Sequence, residues 1–268
     1  MHRAVVLAAL LAAGPSARPI AAQIATNRSA LYLHPTDVAD ARAIWVNPAG
    51  LAVSYHASIH LDLTVRDPGP DGRLGQVTGG FSSRGLGFSY QRDVFAGRAV
   101  AHTYRLGLAG ASKGLGAGVA LAHYRGDGQA TGWDLGVVYA ARRYLTAGAV
   151  VANIGRPSVR GVQLPVTIVP AVTVTPLGPA LALSAHAHVT TDSVLTYAFG
   201  ARWSGRARVP VALLARLDTD GQLRRAAFAF GVAVGLRDVV GAVVTMSGDL
   251  GAVDAASLYG VVFRPLDR

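Results

Sequence analysis

The sequence predicts an all-β fold: a single transmembrane antiparallel β-barrel of about fourteen strands, entered through a short amino-terminal helical segment. Three observations carry this reading. The run 53–66 alternates without a break, with Val53, Tyr55, Ala57, Ile59, Leu61, Leu63 and Val65 on one face and Ser54, His56, Ser58, His60, Asp62, Thr64 and Arg66 on the other. The chain is 51% hydrophobic and only 15% charged, yet after its first residues it holds no apolar run long enough for a membrane helix, which takes about 20 residues. Spreading apolar residues over every second position is how a membrane barrel reaches such a composition.

The elements follow in order. Arg3, the apolar stretch Ala4 to Ala13 and the small pair Ala21-Ala22 read as an export signal cut near Ala22. The apolar stretch, at about ten residues, is too short to span a bilayer. Residues 23–52 form a separate segment, in which Thr36 or Asp37 can cap a helix reaching Val46, and Asn47-Pro48-Ala49-Gly50 breaks it. The barrel occupies 53–268. Its strands are expected at 53–66, 73–83, 85–93, 98–109, 114–125, 132–142, 145–156, 166–176, 180–190, 194–204, 209–218, 222–236, 239–247 and 255–264. Gly- and Asp-rich punctuation, such as 126–128 and 218–221, marks the turns. Pro170 inside 166–176 removes a ladder hydrogen bond and predicts a bulge or a broken register. In 194–204 and 222–236 the face opposite the aromatic residues is small, as is the Gly114-x-Gly116-x-Gly118 face. A small wall suggests that something packs against it, the amino-terminal segment being the candidate. A soluble β-sandwich is the architectural alternative.

Composition bounds the chemistry. The absence of cysteine excludes disulfides, thiolate metal sites and thiol nucleophiles. The charge is +10, with basic residues scattered and not interleaved with aromatics, so nucleic acid is not an expected partner. The arginines instead suit rims and turns, where they meet lipid phosphates, or a lumen that favours anions. His56 and His60 are roughly 13 Å apart along a strand and cannot share an ion, whereas His186 and His188, roughly 6–7 Å apart, could bridge one. Ser58, His60 and Asp62 share a face at a spacing too wide for the direct hydrogen bonds of a triad. There is no Gly-x-Ser-x-Gly and no Gly-x-x-x-x-Gly-Lys element. The expectation is therefore a non-enzyme without cofactor or metal, with a lipid-modifying barrel enzyme as the least favoured alternative.

The element Ala41-x-Ala43-Ile44-Trp45-x-Asn47-Pro48-Ala49-Gly50-Leu51-Ala52 resembles the amino-terminal signature of the FadL/PorV-like outer-membrane barrels, and Val151-Ala152-Asn153-Ile154-Gly155 is similar to a strand end of the PorV-type branch. The resemblance implies a monomeric fourteen-stranded barrel with its amino-terminal segment folded into the lumen, in the outer membrane of a diderm bacterium. It points to Trp45, Asn47, Pro48 and Gly50 as the plug motif. His56, His60, Asp62, Arg66 and Arg202 are the expected lumen-lining residues. FadL-like members pass hydrophobic compounds, which makes a small hydrophobic molecule the expected passenger. PorV-like members dock exported proteins, the alternative partner. Membrane lipids and lipopolysaccharide would surround either. Large extracellular loops and a terminal aromatic, present in long-chain FadL proteins, are missing here.

Overall fold

The computed structural model describes residues 27, 31–54, 56–66, 68, 72–95, 100–126, 128–159, 161–205, 208–235, 238–248 and 250–265. The expected export signal lies outside them. The strands are β1 (His56–Arg66), β2 (Arg73–Ser83), β3 (Leu86–Val94), β4 (Val100–Ser112), β5 (Leu115–Arg125), β6 (Gln129–Arg142), β7 (Leu145–Ile154), β8 (Ser158–Val159), β9 (Val162–Gln163), β10 (Thr167–Val174), β11 (Pro176–Pro179), β12 (Leu181–Val189), β13 (Val194–Ser204), β14 (Val211–Asp220), β15 (Arg225–Val234), β16 (Val239–Ser247) and β17 (Val253–Pro265). Fourteen of them close an antiparallel barrel, each neighbouring the next along the chain, with β8 and β9 forming a separate hairpin between β7 and β10. The β1–β17 seam runs unbroken from His56 opposite Pro265 to Arg66 opposite Ala255.

The alternation of β1 decides what the barrel faces. Ser58, His60, Asp62 and Thr64 point inward and are at most 2% exposed, while Ile59 and Leu61 point outward and are 62% and 53% exposed. Phe199 and Trp203 on β13 and Phe230, Val232 and Val234 on β15 also face out. A soluble sandwich buries such residues between its sheets. An apolar exterior around a closed ladder, which leaves no backbone edge unpaired, is the architecture of an outer-membrane β-barrel.

Two expectations are corrected. The helix is much shorter than Asp37 to Val46: α1 covers Ala43–Val46, and a 3-10 turn covers Pro48–Ala52. The residues before it find their partners on the wall. Asp37 accepts two hydrogen bonds from Arg202 and so caps nothing, and the Ala41 N–H donates to Ser58 Oγ at 2.8 Å. Pro170 neither bulges nor breaks its strand. β10 keeps one register with β7 through the Pro170–Ala149 pair, and its ladder to β12 lacks partners at Val169 and Pro170 before resuming unshifted. Pro170 faces outward, so the missing N–H costs one rung and no lumen contact.

Candidate functional site: the plugged lumen

Residues 31–54 lie inside the barrel. Their apolar side chains Tyr32, Leu33, Val38, Ile44 and Leu51 cluster with wall residues Ala120, Ala229, Ala233, Val243, Tyr259 and Val261. The small wall makes this possible by close approach. A Cβ at Gly118 would stand 2.6 Å from the Pro48 carbonyl, and one at Gly107 would stand 2.7 Å from Leu51 Cδ1. Gly136 leaves room for the Asn47 amide in the same way, and Gly200 for the His34 ring.

Asn47 is the hinge of the segment. It ends α1 and starts the 3-10 turn, accepting from the Ala49 N–H on Oδ1 at 3.1 Å. Its Nδ2 donates to the carbonyls of Pro35 at 3.1 Å and of Val137, on β6, at 3.2 Å. Asn47 therefore ties two parts of the segment to each other and to the wall, with Pro48 and Gly50 buried beside it. Trp45 is only half-buried: its Nε1 donates to Ser89 Oγ at 2.8 Å, and the Arg105 guanidinium sits 4.9 Å from its ring centroid.

Charged groups fix the remainder. Arg105 is ion-paired with Asp134 and donates to the Ile44 carbonyl at 3.0 Å. Arg216 pairs with Asp218 and donates to the Leu33 carbonyl at 2.7 Å. Arg42 holds Asp40 through three hydrogen bonds, two from its guanidinium at 2.7 and 3.0 Å and one from its backbone N–H at 2.9 Å, and its guanidinium lies 5.0 Å from the Tyr259 ring centroid. Burial pushes the Asp40 carboxyl up, but the Arg42 charge and hydrogen bonds outweigh it and hold it below its ordinary value.

Of the expected lumen residues, His60 and Asp62 line the lumen, and Arg202 lines it through its pair with Asp37. Arg66 is half-buried, with its guanidinium over the Phe95 ring. His56 does not line the lumen. It is exposed where β1 begins, edge-on to Phe263, because the inward face of the strand passes the rim there. Ser58, His60 and Asp62 make no hydrogen bonds to one another. Ser58 meets Ser82 and Ala41, while Asp62 accepts from Thr64 and Tyr32. The wall formed by β1–β3 is not small, as the later strands suggested, but densely polar. Gln76 and Gln91 both donate to Asp93, and Thr64 meets Ser257 at 2.7 Å. Many of these groups satisfy one another, while His60 Nδ1 and Nε2 and Thr78 Oγ1 are buried with no hydrogen-bond partner among the described residues.

Sequence reasoning linked His186 and His188 but missed their partner, His34, which lies 152 residues away from His186 in the chain; no local spacing signals such a contact. His34 Nδ1 and His186 Nδ1 are 3.0 Å apart, and the His188 ring stacks edge-on against His186 at 5.2 Å. Among the described residues no trio is placed to hold a metal ion. Burial, then the nearby Arg216 charge, lowers the His34 pKa from 6.5 to about 3. The docked ring is therefore neutral at pH 7, while a released segment takes up a proton below pH 6.5. Docking stability is full above pH 6.5 and falls as the pH drops toward 3, by up to about 1.4 kcal/mol per pH unit for one proton. Protease cleavage within 31–54 should rise between pH 7 and pH 5 in the wild type and rise less in His34→Gln, since His60 and His186 are also buried against the segment. An equal rise in both would remove His34 as the cause.

Two cavities flank the segment. One, of about 100 Å³, is lined by polar groups including Tyr32, His34, Asp40, Arg42 and Arg202. The other, of about 310 Å³, lies against β4–β7 near Lys113, with Val38, Ala39, Ala52, Val53, Val138 and Ala140 among its lining.

No family model matches the sequence, and no curated protein matches it. Among solved structures it is similar to a Pseudomonas aeruginosa FadL homologue, at 10% identity, with 85% of this chain and 94% of that chain covered and a TM-score of 0.49. It is also similar to the Acinetobacter baumannii outer membrane protein Omp33, at 8% identity, with 80% and 100% covered and a TM-score of 0.46. A triple mutant of Rhodopseudomonas blastica porin aligns at 10% identity, with 78% and 99% covered and a TM-score of 0.42. Likenesses of this degree assign no passenger and no partner.

Proposed function

We propose that this barrel sits in the outer membrane of a diderm bacterium and gives small hydrophobic molecules a FadL-like passage, with residues 31–54 as its gate. The observation that supports this reading is the cavity of about 310 Å³ between the segment and β4–β7, whose lining is mainly small and apolar. An apolar passenger needs such contacts, whereas ions need a wet, charged channel. Residues of the segment pack against the wall beside the cavity, so in this reading passage requires that the segment move.

The reading is tested by tethering the gate. Thr36 Oγ1 and Thr173 Oγ1, on the segment and on β10, are 2.8 Å apart. In the cysteine-free chain, Thr36→Cys with Thr173→Cys puts two sulfurs within reach of a disulfide. Uptake of a fluorescent hydrophobic probe into liposomes holding the reduced barrel should stop on oxidation and return with reductant. The PorV-like alternative, a barrel that docks exported proteins without transport, draws on how firmly Asn47, Arg105 and Arg216 hold the segment. If reduced and oxidised barrels both fail to pass the probe, the passage reading is dropped in favour of docking.

A further inference from the structure

The barrel's two rims differ. At one end β2/β3, β4/β5 and β6/β7 are joined by two-residue turns, 84–85, 113–114 and 143–144. These turns belong to six consecutive strands, so their tips stand roughly 10 Å apart, two strand spacings each. Every tip carries a cation: Arg84, Lys113, and Arg142 with Arg143. The sequence holds no acidic residue over 72–92, 94–126 or 135–191, so no carboxylate of these strands sits at this rim, and Asp37 of the segment, which shares a cavity with Lys113, is paired with Arg202. Lys113, Arg142 and Arg143 take part in none of the ion pairs among the described residues. At the opposite rim Arg224 is paired to Asp220, and farther round the short-turn rim Arg264 is paired to Asp238, outside the six strands of these turns.

Turn geometry puts two of these cations at the hairpin tips. Arg84 and Lys113 have φ of +50°, each followed by a glycine at +83°. This is the geometry of a hairpin turn in which Asn, Asp or Gly normally takes the first position, because other L-residues are strained there. Leu223 and Leu250, in turns of the opposite rim, hold positive φ of 62° and 60° without a charge, so the strain places the two cations at the hairpin tips and does not by itself assign them a function.

The exterior beneath the tips shows what the charge meets. Leu86, Leu115, Tyr139 and Tyr144 face outward beside these turns and are 42%, 53%, 50% and 52% exposed. Tyrosine and leucine at the end of an apolar belt mark the height where hydrocarbon gives way to headgroups. An arginine or lysine just beyond can lay its stem on the apolar surface and reach the phosphate layer with its charged end. Arginine pairs with phosphate through two parallel hydrogen bonds.

We propose that the rim formed by the β2/β3, β4/β5 and β6/β7 turns is a binding surface for anionic phospholipid headgroups of the adjoining leaflet. Short turns mark the periplasmic end of bacterial barrels, so that leaflet is the inner one of the outer membrane. Lys113 also lines the cavity of about 310 Å³, whereas Arg84, Arg142 and Arg143 do not, so lipid retention is read separately from passage through the lumen.

The test uses the full-length mature chain folded into vesicles of phosphatidylcholine mixed with phosphatidylglycerol. The barrel is extracted in mild detergent and its retained lipids are measured by mass spectrometry. The wild type should retain phosphatidylglycerol about tenfold over its share of the vesicle, and high salt should abolish the enrichment. In R84N/K113N/R142Q/R143Q the enrichment should vanish. Asparagine suits both strained positions, so this variant should keep heat-modifiable migration. If it does not fold, K113N/R143Q takes its place, with a partial loss expected. R73Q/R92Q/R125Q/R225Q removes four cations from the opposite rim and should keep the enrichment. No enrichment in the wild type, enrichment that survives the short-turn variants, or an equal loss in the opposite-rim variant overturns the proposal.

Discussion

Asn47→Leu should lower the thermal unfolding temperature of the folded barrel and expose residues 31–54 to protease before the barrel itself melts. The leucine fills a similar volume but leaves the carbonyls of Pro35 and Val137 and the N–H of Ala49 without their partner. An unsatisfied buried polar group costs about 1–3 kcal/mol, so three amount to about 3 kcal/mol or more. Gly136→Ala attacks the same point from the wall, since its new Cβ would collide with Asn47 Oδ1. The two variants should therefore release the same segment. Circular dichroism melting and limited proteolysis both read the outcome. An unchanged melt with a protected segment in Asn47→Leu would make Asn47 a local turn former only.

Arg105→Met should be comparably damaging. Arg105 and Asp134 are buried partners, and Asp134 also accepts from the Asn153 N–H at 2.9 Å. Removing the cation leaves a buried carboxylate uncompensated, which costs about 3–5 kcal/mol. It also strips the Ile44 carbonyl of its donor and Trp45 of the charge over its ring. Arg105→Met combined with Asp134→Asn should recover most of the loss, because the amide oxygen still accepts from Asn153 and no charge is stranded. The midpoint of heat-modifiable migration distinguishes the three proteins. Equal midpoints for the single and double variants would show that the stranded charge is not the source.

The strand content was legible because it rests on a local signal. Each strand alternates by itself, and each turn carries its own punctuation, as in 194–204 and 239–247, which the structure reproduces as β13 and β16. The helix was overextended because Thr36 and Asp37 are good caps in isolation. The structure gives Thr36 to Thr173 and Asp37 to Arg202, partners 137 and 165 residues away. Trp45, named in the plug motif, is half-buried rather than enclosed, its indole shared between Ser89 and Arg105. His34 had no signal at all, since nothing in Leu33-His34-Pro35 announces a ring on β12.

By itself, the sequence determined the all-β class, the strand positions and which residues share a face. These follow from a period of two that every strand carries independently of its neighbours. Only the tertiary structure decided which face is inside, how the inward groups pair and where the amino-terminal segment docks. Closure of the ladder turns the apolar face of β1 outward and gathers Ser58, Asp62, Thr64 and Ser257 into one lumen, where polar groups must find each other because water has been displaced. The contacts of Asn47, His34 and Arg105 belong to that enclosure: each joins residues far apart in the chain, and no local pattern encodes a partner that only barrel closure brings within hydrogen-bonding distance.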